Sequence, residues 1–186
     1  MNRIKKFLIL VSIILVLSIS FCTSKAVFMA IFPTDYSQYV EKYCYEYNIE
    51  PTLAYAVIKT ESGFDPHAIS SAEAKGLMQL TDDTFEWLQW KKGVENAMDS
   101  TQLYDPKTNI EYGVYLLSYL CEKYNGDYKL VLSAYHAGSG NVACWLANEQ
   151  YSSDGVTLDV IPTPDTRNYF NKVSRNIKFY DYLYDF

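Results

Sequence analysis

The amino-acid sequence predicts an all-α domain preceded by a separate N-terminal apolar segment. From residue 35 onward apolar residues recur at spacings of three and four, no sustained two-residue alternation of strand type occurs, and the periodic runs are short and punctuated by Pro, Gly and Asn. At 186 residues the chain accommodates one domain with a sizeable core and is too short to expect two.

The first helix is expected over residues 35–49, where Tyr36, Tyr39, Val40, Tyr43 and Cys44 share a stripe. Glu50-Pro51 marks a boundary, because the residue before proline disfavours helical backbone, and Pro51 then occupies a favoured first-turn position of a second helix over 51–61. Thr81 is a candidate N-cap for a third over 81–92. A fourth, over 107–124, follows Asp105-Pro106 and stops at Asn125-Gly126. A fifth runs over 127–138 to Gly138, a sixth over 140–150 and a seventh over 165–184. Residues 147–165 form the one long irregular segment, of a length that in compact domains tends to be functional or mobile. There is no internal repeat, low-complexity tract or Gly/Ser linker.

Residues 1–30 read as a signal peptide or membrane anchor, and 31–186 as the folded domain. Arg3, Lys5 and Lys6 precede an apolar run from Phe7 to Cys22, and residues 25–32 prolong that character, which favours an uncleaved anchor with its positive flank inside the cell. Ser24-Lys25-Ala26 offers a small-x-small cleavage site, the route to a secreted form, whereas the bulky Phe21 before Cys22 argues against a lipoprotein. The first 30 residues hold four of the 16 basic residues and none of the 22 acidic ones, leaving 12 against 22, a balance of −10. Such a domain does not bind nucleic acid by bulk charge, so its substrate is held by shape, hydrogen bonds and stacking. Cys44, Cys121 and Cys144 make neither a disulfide framework nor a zinc site; each reads as a small buried apolar residue, and Cys121 with Cys144 is the one pairing considered. No metal or cofactor is implied.

Glu61 ends an apolar helix. Val57 and Leu53, four and eight residues earlier, and Ile58, three earlier, lie on its face, and Gly63 opens room beside it. A carboxyl held against apolar walls gains proton affinity and can serve as a general acid near neutral pH. A glutamate at a helix end that hydrogen-bonds a neighbouring loop is the alternative, and the residue alone leaves both open. Two further segments bear on the choice. Residues 69–80 set small residues and Gly76 beside Met78 and Gln79, and residues 133–142 place Tyr135 and His136 before Gly138 and Gly140.

These segments form an ordered set: Glu61-Ser62-Gly63-Phe64; Ser70 through Ala74 to Gly76-Leu77-Met78-Gln79; Ala134 to Gly138 with Gly140-Asn141-Val142; and Asp165-Thr166-Arg167-Asn168-Tyr169. In this order and spacing, from Tyr36 to the C-terminus, the chain resembles lytic transglycosylases of the soluble (SLT) type, lysozyme-like bacterial cell-wall enzymes. His136 stands where that family usually has Asn, and Asp165 where it usually has Glu. Histidine still donates a hydrogen bond but also titrates.

The resemblance implies a lysozyme-like fold with a central cleft and peptidoglycan as substrate, cleaved between N-acetylmuramic acid and N-acetylglucosamine with a 1,6-anhydro end. Glu61 would be acid and then base. Ser70, Met78 and Gln79 would line the cleft with His136, while Tyr135 and Tyr169 would orient Glu61 or steady the transition state. No partner carboxylate is evident, since Asp65, beyond Gly63 and beside Pro66, reads as a turn residue. A lysozyme-like muramidase that uses water and a membrane-anchored glycan-binding protein without turnover are the competing readings. A Cys/His hydrolase built on Cys144 and His136 finds no supporting motif.

Overall fold

The computed structural model describes residues 25–186, together with 5, 7 and 10–13. Helix starts follow the local chemistry. Proline opens three helices: α2 (Pro51–Glu61), α4 (Pro106–Lys123) and α7 (Pro164–Leu183). Side-chain oxygens cap others: Thr81 accepts from the Thr84 amide at the head of α3 (Asp82–Lys91), Asp105 from Thr108 at α4, and Asp127 from Lys129 and Leu130 at α5 (Tyr128–Ala137). α1 (Ser37–Tyr47) ends on Asn48 at φ 54°, whose amide bonds back to the Cys44 carbonyl. α6 (Ser139–Leu146) starts directly from Gly138 and ends four residues before the expected limit of 150. All seven expected helices are present. A helical stretch over 25–31 and a 3₁₀ turn, Ser100–Tyr104, are additions. Among the described residues there is no strand, only isolated bridges pairing Lys75 with Ile69 and with Leu80.

α2 is the central helix. Six consecutive residues, Leu53 to Ile58, are at most 1% exposed, so it is buried on every side and not only along the stripe leading to Glu61. α7 packs along it, α1 packs on α4, and α5 packs against α4, α6 and α7. Burying a Leu, Ile or Val side chain contributes about 1.5–3 kcal/mol, so this helix is the main apolar anchor of the domain and a rigid mount for whatever its end carries. Phe85, Leu88, Leu103 and Tyr112 form a smaller core under α3.

The segment between α6 and α7 is pinned to the domain. Leu158 and Ile161 are buried, Lys129 Nζ donates to the Leu158 carbonyl at 2.8 Å, and the Arg167 guanidinium donates to the Ile161 carbonyl from Nε and Nη2 at 3.0 and 2.8 Å. The cysteines depart from expectation. Cys44 is buried, but Cys121 is half-buried and Cys144 exposed, and all three are free, so Cys121 and Cys144 are not paired. The anchor or signal expected over 1–30 lies largely outside the described residues; among those described, no helix is long and apolar enough to cross a membrane.

Candidate functional site

Glu61 is the last residue of α2, and the Ser62 that follows fastens the helix end to the next segment. Its hydroxyl donates to the Leu77 carbonyl at 2.8 Å and accepts from the Phe64 amide at 3.1 Å. Gly63 and Phe64 then take φ of 61° and 74°, which turns the chain back and buries the Phe64 ring. Asp65 is exposed and accepts from the His67 amide at 2.8 Å, the turn role read from its sequence.

Residues 69–80 form a compact loop shaped from within and braced from α4. Ser70 Oγ accepts from the amides of Ala72 and Ala74 at 3.2 and 3.1 Å. Gln79 Nε2 donates to the Ala68 and Gly76 carbonyls at 3.0 and 2.9 Å, which commits the amide nitrogen and leaves its oxygen as the open acceptor. Asn109, fully buried in α4, accepts from the Met78 amide at 2.7 Å and donates to the Lys75 and Leu103 carbonyls at 2.9 and 2.8 Å. Gly76 sits so close to this brace that a Cβ would lie 2.2 Å from the Leu103 carbonyl oxygen, at a φ of 75° that already favours glycine.

This loop faces the end of α5 across a cavity of about 450 Å³, whose walls carry Glu61, Ser70, Gln79, Tyr135, His136 and Gly138. Five of the seven residues expected at the site therefore meet there. Met78 does not. Its side chain is fully buried, in the space left by Gly113, where a Cβ would stand 2.3 Å from Sδ; only its backbone serves the site, since its carbonyl accepts from the Tyr135 hydroxyl at 2.7 Å. Tyr169 lies behind the wall, 6% exposed, its ring against His136 at 4.6 Å between centroids.

Glu61 is only partly open to the cleft, and desolvation pushes its carboxyl from the ordinary 4.5 up to about 7, with the Tyr169 hydroxyl pulling the other way. Its place at a helix C-terminus acts in the same direction as burial. The Tyr169 hydroxyl is buried and closes no hydrogen bond of ordinary geometry among the described residues, so it faces the carboxyl as an unspent donor. Tyr135, by contrast, already donates its hydroxyl hydrogen to the Met78 carbonyl at 2.7 Å. His136 Nδ1 lies 3.1 Å from Thr166 Oγ1, which also accepts from Thr163 Oγ1 at 2.8 Å. Burial lowers the His136 pKa below its ordinary 6.5, with Asp165 opposing, so the ring is neutral at pH 7.

A second cavity, of about 260 Å³, shares Thr84, Leu116, Tyr135 and Gly138 with the first and extends it to Trp87 and Tyr119, whose rings meet edge-on at 5.1 Å. The sequence did not single these aromatics out. They lie on different helices, α3 and α4, and the only trace in the sequence is that each is one of many aromatic residues. No group of three or more metal-ligating side chains occurs among the described residues.

What the arrangement can do is protonate a leaving group from an apolar-walled carboxyl, in a cleft that continues into a second, aromatic-walled cavity. Its likeness to known proteins is consistent. The chain is 30% identical over 153 residues to the soluble lytic murein transglycosylase of Escherichia coli K12, covering 82% of this chain and 24% of that protein. It is 31% identical over 161 residues to the membrane-bound lytic murein transglycosylase C of Actinobacillus pleuropneumoniae serotype 5b, covering 76% and 44%. Among solved structures, the 70 kDa soluble lytic transglycosylase of E. coli superposes with a TM-score of 0.74 at 27% identity, over 83% of this chain and 25% of that one. This chain thus spans about a quarter to under half of the length of these relatives. The helical architecture is the lysozyme-like one of these enzymes. Residues 38–156, well over half the chain, match the family profile of the transglycosylase SLT domain, and with the acid, the loop and the cleft in the places described, the chain belongs to that family.

Proposed function

We propose that this protein is a peptidoglycan lytic transglycosylase that cleaves the β-1,4 bond between N-acetylmuramic acid and N-acetylglucosamine and leaves a 1,6-anhydro-muramyl end. The observation that carries the reading is that Glu61, with its carboxyl pushed up to about 7, is the one carboxylate among the described residues on the wall of the cleft. Two-carboxylate glycosidases need a second group roughly 5–9.5 Å away, and the cleft offers none.

In the proposed cycle Glu61 gives its proton to the glycosidic oxygen as the bond from that oxygen to the muramyl C1 breaks. The substrate's own acetamido oxygen shields the electron-poor C1. The Glu61 carboxylate then takes the proton of the muramyl 6-hydroxyl, and O6 bonds to C1, which returns the acid to its starting state. An intramolecular hydroxyl held in place competes against water with an effective molarity of about 10⁵ M or more. In this reading the Tyr169 hydroxyl would donate to the carboxylate midway, and Gln79, Ser70 and His136 would supply polar contacts to the sugars. Residues 1–30 would hold the domain outside the cytoplasmic membrane as a single-pass anchor, consistent with a membrane-bound relative.

Digestion of purified sacculi followed by mass spectrometry tests this. Released muropeptides should be one water lighter than hydrolysed ones, and Glu61→Gln should abolish release while wall binding persists. Reducing ends bearing the added water would assign a muramidase, and release undiminished in Glu61→Gln would remove Glu61 from the mechanism.

A further inference from the structure

A third cavity, of about 570 Å³, opens away from the cleft between α2, α7 and the helical stretch over 25–31. Its floor is the Asn176–Thr60 hydrogen bond at 3.0 Å, and its apolar wall is an aromatic stack in which Phe28 and Phe32 lie on Phe179 at 5.8 and 4.7 Å. Lys59, Lys172 and Arg175 ring the opening. None of the three side chains makes an ion pair or hydrogen bond with another described residue, on a domain whose balance beyond residue 30 is −10. Beside them Val27, Phe28 and Ile31 are exposed to 59, 40 and 49%. An acidic domain that gathers free cations around exposed apolar side chains on one face has the charge and hydrophobic pattern of a surface that meets an anionic interface.

The attachment of this face fixes where it points. Tyr184 Oη donates to the Phe32 carbonyl at 2.7 Å and Tyr180 Oη to the Pro33 carbonyl at 2.9 Å, so residues 28–33 are fastened to α7. In the sequence the apolar run ends at Cys22, three residues before the helical stretch, and three extended residues reach about 10 Å. A domain tethered that closely presents to the bilayer the side to which the tether is fastened.

We propose that the Lys59/Lys172/Arg175 face, with Phe28 and Ile31 at its apolar edge, docks on anionic phospholipid headgroups and sets the attitude of the catalytic cleft relative to the membrane. The proposal rests on the anchoring read from residues 1–30 for its geometry, and on the unpaired cations for its lipid preference. Because each cation near an anionic surface shifts partition by about fivefold, Lys172→Glu combined with Arg175→Glu lowers the docked fraction by more than about 20-fold.

The test uses the full chain with Cys22, Cys121 and Cys144 replaced by serine and a fluorophore on Asn171→Cys, an exposed position one turn from Arg175 on α7; buried Cys44 stays unlabelled. The protein is mixed with vesicles of phosphatidylcholine alone, or with phosphatidylglycerol added, each carrying a headgroup quencher, and is then floated. Flotation with both lipids, with quenching that needs phosphatidylglycerol and is lost on charge reversal, supports the proposal and the anchor together. Flotation only with phosphatidylglycerol, abolished by charge reversal, supports docking of this face on anionic lipid, refutes the anchor and overturns the orientation drawn from it. Flotation with both lipids and quenching indifferent to composition or charge reversal keeps the anchor and overturns the proposal. No flotation with either lipid overturns both. Binding to lipid-free sacculi that requires Lys172 and Arg175, without lipid-dependent quenching, assigns the face to an anionic wall polymer and overturns the proposal.

Discussion

Replacing Glu61 by glutamine should make the protein more stable at neutral and alkaline pH while destroying its activity. In the unfolded chain the carboxyl releases its proton around 4.5; in the folded protein it holds it to about 7. Below about pH 4.5 both states are protonated and the side chain carries no ionic penalty. Between about 4.5 and 7 only the unfolded state ionises, so wild-type stability falls across that window and levels off above it. The rise corresponds to roughly 3 kcal/mol at about 1.4 kcal/mol per tenfold change in proton affinity. Because the carboxyl is partly open to the cleft, roughly 2 kcal/mol is the working figure. For a chain of this size that is about 4–8 °C in Tm. Urea titrations of both proteins at about pH 4, 5.5, 7 and 8.5 supply the comparison. A stability difference that stays flat from acid to alkaline pH would refute the claim that Glu61 is desolvated, and with it the basis for its acidity.

Asn109→Ala strips the Met78 amide and the Lys75 and Leu103 carbonyls of their buried partner; a loss of about 2–5 kcal/mol in chemical denaturation is expected. Gly113→Ala drives a methyl into the Met78 side chain and should cost about 1–3 kcal/mol, and Met78→Ala in the same protein should recover part of it, as a double-mutant cycle would record. His136→Asn should remove the part of the acid-side fall in kcat/KM that arises below pH 6.5, while the alkaline fall near 7 set by Glu61 stays, as read from pH profiles of turnover on sacculi.

The helices were legible because their signals are local: Pro51 at a first turn, Asp105-Pro106 at a boundary, the Thr81 cap and Gly138 at a stop, whereas Pro164 was read as loop and opens the last helix. So was the desolvated setting of the Glu61 carboxyl, through its apolar neighbours at three, four and eight residues. What escaped was set by approach between distant segments. Met78 and Gln79 adjoin in sequence, but Gly113, 35 positions on, takes the Met78 side chain into the core while Gln79 reaches the cleft. The Trp87–Tyr119 lobe exists only because α3 packs on α4. The long segment after α6 looked loose, since the Lys129 and Arg167 clamps that hold it lie outside it. The helical stretch over 25–31 was merged with the leader because its apolar residues continue that run, although they pack on α7.

The buried phenol of Tyr169 gives the resting molecule a built-in bias. While the neighbouring carboxyl keeps its hydrogen, this donor has only a weak recipient; in the proposed cycle, once that hydrogen has passed to the sugar, a full negative charge would stand in front of it. On the proposed cycle this arrangement suits the halfway point better than the idle form, because the donor gains its full partner only as the glycosidic bond opens.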